Sequence, residues 1–320
     1  MKAVVIDRYG DPAGMTVVER EEPGLEAAQV LVRTEAIGVG GVDAVIRRGT
    51  VGLGFPQGMV PGSEVAGTVV AVGADADPAL VGRRVWAFTG TSGGYAEYAA
   101  AYEEDVSPLP DGLSAVDAVT VGSAATVAHC ALAHAHLTAG ESLLVRGGAG
   151  SIGIAAIELA ARAGASVIAA TASSAERAHR LRGLGATHTL DRSGRGDDIA
   201  AAGFDVIVDI VGGPDVPSFL ELLRPNGRYI LVGAVAGYPP PDFGMVLLRS
   251  FRQSRSVATF SLDSIPKPER NRVREELFGQ AARGEISAVV HGVLPLGEAA
   301  EAHRSMDAGG VFGRYVLVPG

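Results

Sequence analysis

The strongest chemical signal in the chain is Leu143-Leu144-Val145-Arg146-Gly147-Gly148-Ala149-Gly150-Ser151-Ile152-Gly153. Gly148-x-Gly150-x-x-Gly153 matches the glycine fingerprint of a dinucleotide site. An apolar strand runs into it and an amphipathic helix opens from it, which is the setting the fingerprint requires. Glycine permits the tight turn and lets the backbone approach a pyrophosphate. The helix N-terminus, from Ser151 and Ile152, offers open N–H groups and partial positive charge. The plain alternative is a glycine-rich turn, in a chain with 44 glycines.

The next strand bears on which dinucleotide is bound. Ser166–Thr171 ends without Asp or Glu, so no carboxylate waits for a ribose 2′-hydroxyl. Thr171, Ser173, Ser174 and Arg177 follow. Hydroxyls and an arginine at a helix start suit a 2′-phosphate, which a carboxylate would repel. The expectation is therefore NADP(H) rather than NAD. The plain alternative is that Ser174 only caps the helix and Arg177 is solvated, and Asp191, after the following strand, complicates the assignment.

Other chemistry is scarce. The 320 residues hold one cysteine, Cys130, which excludes a disulfide framework and any cysteine-rich zinc module. His129, His134 and His136 lie near it, but their spacings from His129 of five and seven do not make an i, i+4 ligand pair. They read as helix-face residues, with His129 of interest one turn after Thr126. No metal is expected. Only Lys2 and Lys267 are lysines, so a buried catalytic lysine has no candidate. The net charge of −9 gives no basic field for nucleic acid. The N-terminus lacks a signal-peptide pattern, and the apolar stretches around residues 143 and 152 are cut by Arg146 and Glu158. No membrane span and a cytoplasmic setting are expected.

These groups need elements to hold them. Residues 1 to about 110 read as short strands separated by turns, a β-rich, barrel-like pattern. The reading places strands at Met1–Asp7, Met15–Arg20, Gln29–Ala36, Glu64–Gly73, Arg83–Phe88 and Gly94–Ala101. Ser114–Leu137 is Ala-rich and helical, with Ser114 and Asp117 spaced for a capping box. Strands and helices then alternate, with strands at Ser142–Val145, Ser166–Thr171, Phe204–Ile210, Arg228–Gly233 and Val257–Leu262. The helices between them are Ser151–Ala163, Ala175–Leu184 and Pro217–Leu223. Such alternation implies an α/β doubly wound parallel sheet. Pro268–Arg283 reads as a charged helix, and strands at Val289–Pro295 and Arg314–Pro319 imply a return to the first domain. The division is 1–120 with 265–320, and 121–264 for the dinucleotide domain.

Taken over its whole length, the chain resembles the medium-chain dehydrogenase/reductase superfamily, in its zinc-free quinone oxidoreductase and enoyl reductase branch. The marks are Ala36-Ile37-Gly38-Val39-Gly40-Gly41-Val42-Asp43, Pro61-Gly62-Ser63-Glu64-Val65-Ala66-Gly67-Thr68-Val69 and Gly93-Gly94-Tyr95-Ala96-Glu97-Tyr98. The glycine loop and Ala302-His303-Arg304-Ser305-Met306 with Phe312-Gly313-Arg314 complete them. The resemblance implies a GroES-like catalytic domain, a Rossmann NADP-binding domain and a homodimer joined through the Rossmann sheet edge near Val257–Leu262. It assigns Thr126 to the nicotinamide side, Gly150–Gly153 to the pyrophosphate, and Ser173, Ser174 and Arg177 to the 2′-phosphate. Gly233, Ala234 and Val235 border the nicotinamide ribose, and Phe260, Ser261 and Arg314 are candidates for lining the cofactor cleft that the resemblance implies.

Zinc members of the superfamily carry Cys where this chain has Gly40, and His where it has Ser63. A lone Glu64 cannot hold zinc. Without a Lewis acid, alcohol oxidation loses its support. Hydride addition to a quinone or an α,β-unsaturated carbonyl compound keeps it, because the substrate's own carbonyl spreads the charge. Gly40 replaces an Asn common in quinone oxidoreductases, and Val51 replaces a Tyr found in many relatives, so no catalytic proton donor carries over. Ser63, Tyr95 and Thr126 remain candidate hydroxyls beside Gly40, Val51 and His129 in the substrate pocket, each with a packing or capping alternative. The expected activity is an NADPH-dependent quinone or enone reductase. The alternatives are a biosynthetic enoyl reductase on a polyketide-type intermediate, and a non-redox NADP-binding sensor or cyclase.

Overall fold

A computed structural model describes residues 1–50, 54–196 and 198–320; Val51 lies outside the described residues. The chain divides into two units, Met1–Ser123 with Pro266–Gly320, and Ala124–Ile265.

The first unit opens with an antiparallel pair, β1 (Lys2–Ile6) and β2 (Met15–Glu19). There follow β3 (Gln29–Gly38), α1 (Gly41–Arg48), β4 (Glu64–Val72), β5 (Arg84–Phe88), β6 (Tyr98–Tyr102) and β7 (Val106–Pro108). β6 is shorter than the strand expected at 94–101. Gly94 is pressed against the backbone of Gly62, and the chain there makes single bonds, from Val4 N–H to Tyr95 O and from Tyr95 N–H to Pro61 O. Helix α1 was not anticipated as a helix. Asp43 accepts from the Gly40 N–H at its start, and Gly49, at φ 68°, ends it in the left-handed region.

Helix α2 (Ala115–His134) is capped as its sequence suggests: the Asp117 N–H donates to Ser114 Oγ at 3.0 Å. By length and composition α2 is apolar enough to cross a bilayer, yet 72% of that window is buried in the protein, as in a core helix.

The second unit alternates β8 (Ser142–Arg146), α3 (Ser151–Arg162), β9 (Val167–Thr171), α4 (Ala175–Gly183) and β10 (His188–Leu190). It continues with α5 (Ile199–Ala202), β11 (Phe204–Asp209), α6 (Val216–Leu220), β12 (Leu223–Leu231), α7 (Met245–Arg249) and β13 (Ser256–Thr259). All five pairings are parallel, in the order β10-β9-β8-β11-β12-β13. The order reverses between β8 and β11, so the crevice outside their carboxyl ends is the expected ligand position. β13 stops at Thr259 rather than running to 262, because Ser261 caps a tight turn at Leu262–Ser264.

The chain then returns to the first unit with α8 (Lys267–Ala282), β14 (Val290–Pro295), α9 (Ala299–Asp307) and β15 (Arg314–Val318). β14 and β15 extend the larger sheet to β14-β15-β3-β4-β5-β7, with β6 also paired to β3.

The second unit's core is apolar and tightly enclosed, with Leu144, Phe204, Ile207, Phe219 and Tyr229 all at 0% exposure. Leu144 sits on a central strand, where backbone neighbours on both sides restrict collapse into a void. Leu144→Ala is expected to cost about 2–5 kcal/mol. Urea unfolding followed by far-UV circular dichroism measures it, and an unchanged midpoint would contradict this packing.

Candidate functional site

In the second unit, the residues expected to bind a dinucleotide share one edge of the sheet. Gly148–Gly153 follow β8, Thr171 to Arg177 follow β9, Gly233–Val235 follow β12, and Phe260 and Ser261 follow β13. Parallel strands place all of these at carboxyl ends.

The glycine loop fits a pyrophosphate on its own geometry. A Cβ on Gly153 would fall 2.3 Å from Gly147 O, so only glycine lets α3 begin there. Gly150 precedes α3 and supplies no side-chain cap, which leaves first-turn N–H groups available to an anion. The Gly147 N–H donates to Thr171 Oγ1 at 3.0 Å and ties the loop to β9.

Beyond β9, Ser174 accepts from the Arg177 N–H at 3.3 Å, so it does cap α4. Arg177 also donates to Ser173 Oγ at 3.0 Å. Burial first, and then the positive charges of Arg192 and Arg180, push the Arg177 pKa down. The neighbouring Glu176 carboxylate opposes them, and the net downward shift marks a setting that a further anion relieves. Arg192, just past β10, was not singled out in the sequence; its position after an apolar strand was the available clue. Asp191 folds back onto its own turn, accepting from the N–H groups of Ser193 and Arg195 and from Ser193 Oγ.

Beneath the switch point lies a buried pair that sequence reasoning also passed over. Arg146, ending β8, donates to Asp209 Oδ2 at 2.9 Å and to Gly212 O at 2.8 Å. Asp209, ending β11, also accepts from the N–H groups of Val211 and Gly212 and from Tyr229 Oη. The Arg146 guanidinium stands 4.2 Å over the Phe219 ring. A charge ending an otherwise apolar strand was the signal in both cases.

In the first unit, four expected residues gather around one carboxylate, Asp43, which is fully buried. Asp43 Oδ2 accepts from the Gly40 N–H at 2.8 Å and from Tyr95 Oη at 3.2 Å. Asp43 Oδ1 accepts from Ser63 Oγ at 3.2 Å. A Cβ on Gly40 would lie 3.4 Å from both Asp43 Oδ2 and the Arg314 guanidinium. Gly62, at φ 101°, lets Tyr95 in: a Cβ there would strike the Tyr95 ring at 2.3 Å.

Arg314 is buried and fully engaged. It pairs with Glu64 and donates to Val39 O at 3.2 Å and Val119 O at 2.7 Å. Glu64 also accepts from Trp86 Nε1 and from the Ser123 N–H.

Behind Tyr95 lies His303, at 0% exposure. The Arg47 Nε–H donates to His303 Nδ1 at 3.2 Å, so a neutral ring carries its proton on Nε2 and donates it to Tyr95 Oη at 3.1 Å. Arg47 also holds Asp307 at 2.7 Å. Burial, then the nearby Arg47 charge, pushes the His303 pKa down to about 3. Burial raises Asp43 to about 6 against its hydrogen bonds and Arg314. Asp43 and His303 stood inside sequence motifs without an assigned role.

Thr126 is buried on α2, one turn from the exposed His129. Among the described residues, no three His, Cys, Asp or Glu side chains group to hold a metal ion.

Two family models match, an alcohol dehydrogenase GroES-like domain over residues 26–111 and a zinc-binding dehydrogenase domain over residues 151–277. A quinone oxidoreductase of Pseudomonas aeruginosa is 32% identical, covering 99% of each chain. The chain belongs to the medium-chain dehydrogenase/reductase superfamily, in its quinone oxidoreductase branch. The first unit is the superfamily's GroES-like domain and the second its Rossmann domain. A mycobacterial protein solved in complex with NADPH superposes at a TM-score of 0.89, with 29% identity over the whole of both chains. A Pseudomonas syringae quinone oxidoreductase does so at 0.90, with 27% identity over 99% of each. A segment making up 8% of an erythronolide synthase of Saccharopolyspora erythraea is 30% identical over 93% of this chain.

The two shifted groups bend the pH dependence of stability in opposite senses. Unfolded His303 binds a proton below pH 6.5 while the folded ring stays neutral to about 3, so its contribution falls on acidification across that window. Folded Asp43 binds a proton near pH 6 and the unfolded residue only near 3.8, so its contribution rises on acidification between them. His303→Gln removes the first effect. It is expected to be less stable than the wild type at pH 8, with the gap narrowing by pH 4.5 in urea titrations. A gap independent of pH would show that His303 is not held neutral.

Proposed function

We propose that the protein is an NADPH-dependent, zinc-independent reductase of quinones or α,β-unsaturated carbonyl compounds. The observation that carries the reading is the sheet edge of the Rossmann domain. An uncapped helix start follows a glycine loop at the switch point, and β9 ends without a carboxylate, with Ser173 and Arg177 following it and Arg192 near. Gly147–Gly153 would hold the pyrophosphate, and Ser173, Ser174 and Arg177 the 2′-phosphate. When bound, the reduced nicotinamide supplies hydride, a two-electron donor suited to a polarised C=C or a quinone.

The chain's own residues supply the rest. Arg146 and Asp209 fix the loops on either side of the switch point, so the cradle is formed before ligand arrives. Ser63, backed by Asp43, presents a hydroxyl in the catalytic domain. Gly40 and Ser63 stand where zinc members of the superfamily have Cys and His, and this supports zinc independence. Substrate polarisation then falls to hydrogen bonding rather than to a Lewis acid.

A second reading, a biosynthetic enoyl reductase, draws support from the similarity to the erythronolide synthase segment. The two share cofactor and hydride chemistry and differ in the acceptor. We further propose a homodimer through the free edge of β13. Leu248 and Phe251, just before that strand, are 61% and 78% exposed, more apolar surface than a lone helix end normally leaves in water.

Calorimetry is expected to show NADPH binding more tightly than NADH. Arg177→Ala is expected to weaken NADPH roughly 10- to 100-fold, the worth of a charge-assisted hydrogen bond, with little effect on NADH. Equal affinity for both cofactors in the wild type would sink the 2′-phosphate assignment. Turnover of simple quinones and ring enones, against enoyl thioesters, separates the two readings. NADPH binding with no acceptor reduced would leave a non-redox protein. Light scattering is expected to give a dimer that Phe251→Asp dissociates; a monomeric wild type refutes it.

A further inference from the structure

The Asp43 cluster is more than packing, because its hydrogen bonds converge on one carboxylate. Arg47 donates to His303, His303 to Tyr95, and Tyr95 to Asp43 Oδ2, which also takes the Gly40 N–H. With two donors fixed on Oδ2, a proton bound by Asp43 belongs on Oδ1. Oδ1 has one partner, Ser63 Oγ at 3.2 Å. Asp43, Tyr95, His303 and Arg47 are at 0% exposure, while Ser63 keeps 6%. Among the described residues, the one outlet from the buried carboxyl is therefore the Ser63 hydroxyl.

No other member of the cluster exchanges a proton near neutral pH. Burial holds the Tyr95 pKa well above its ordinary value, and His303 stays neutral. The charged groups around Asp43 are accounted for. Arg314 on β15 is matched by Glu64 on β4, and Arg47 and Arg48 on α1 are matched by Asp307 at the end of α9.

We propose that Asp43 is the proton store of the reduction and that Ser63 Oγ passes its proton to the substrate. The proposal rests on the reductase reading above. An enone accepts hydride from the reduced nicotinamide at its β-carbon. A nicotinamide C–H bond breaks, a substrate C–H bond forms, and the π pair moves to give an enolate. The enolate carbon takes the Ser63 hydroxyl proton, Ser63 Oγ takes the proton from Asp43 Oδ1, and Asp43 is left a carboxylate. Water restores the proton between turnovers. Ionised Asp43 turns the Ser63 hydroxyl inward, whereas protonated Asp43 turns it outward as a donor. Asp43 thus acts through Ser63 as a positioning residue, and Ser63 is the catalytic one.

Two measurements on the full chain test this. In the protein without cofactor, carbon-13 NMR of labelled aspartate carboxyls is expected to show one signal titrating near pH 6, absent from Asp43→Asn. With NADPH and a ring enone, wild-type kcat is expected to fall as pH rises through that value, with a solvent deuterium isotope effect. Asp43→Asn and Ser63→Ala are each expected to lower kcat about 100-fold, the usual worth of a general acid, and to abolish that limb. Both should leave the NADPH Kd unchanged, and Ser63→Thr is expected to recover rate. Should Asp43→Asn fail to fold, Ser63→Ala and the wild-type titration decide. An Asp43 signal titrating in the ordinary carboxylate range overturns the proposal, as does a Ser63→Ala enzyme with wild-type rate and pH profile, and both leave the reductase reading standing. A wild type that reduces neither enones nor quinones with NADPH overturns both.

Discussion

One buried carboxylate organises the GroES-like domain. Removing Asp43 from water is costly unless donors replace its hydration. Those donors come from residues 40, 63 and 95, and Tyr95 is in turn held by His303 on α9. Elements far apart in sequence must therefore arrive together for any of them to be satisfied. The glycine at 62 follows from the same demand, because Tyr95 reaches Asp43 only through the space a side chain would fill. A network of this kind is stiff when complete and expensive when broken.

The Rossmann domain solves a related problem at the switch point. There Arg146 and Asp209 satisfy each other and several backbone groups at once, and the arginine also lies against Phe219. A buried ion pair is not in itself a source of stability. Its effect here is geometric, since one carboxylate sets the course of the chain after β11 while its partner sits at the root of the glycine loop.

What was legible in the sequence was local. The glycine loop, the strand before it and the helix after it follow one another directly within Ser142–Arg162, and their pattern has few other uses. The helix cap at Ser114 and the Ser173 to Arg177 turn were readable for the same reason. Helix α1 was not, because eight residues are too few to establish a helical period, and its start depends on the Asp43 side chain. The Asp43 cluster was less legible still. Gly40, Ser63, Tyr95 and Arg314 were each singled out, but their common centre was not. It joins residues 43 and 303 through Tyr95, and no spacing rule spans such a distance. The direction of its hydrogen bonds needed coordinates, since a histidine's tautomer is set by its neighbours.

The scarcity of nucleophiles takes on a different meaning beside the proposed substrates. Quinones and enones are soft electrophiles that add to thiolates and amines. The chain's one thiol, Cys130, is 8% exposed on α2, and a buried thiol is kept from such attack. Of the two lysines, Lys267 is held by Glu104 and Asp105. A chain so built offers the proposed substrates little to alkylate. Intact-protein mass spectrometry after exposure to benzoquinone would reveal whether it resists the damage that a cysteine-rich enzyme in the same role would suffer.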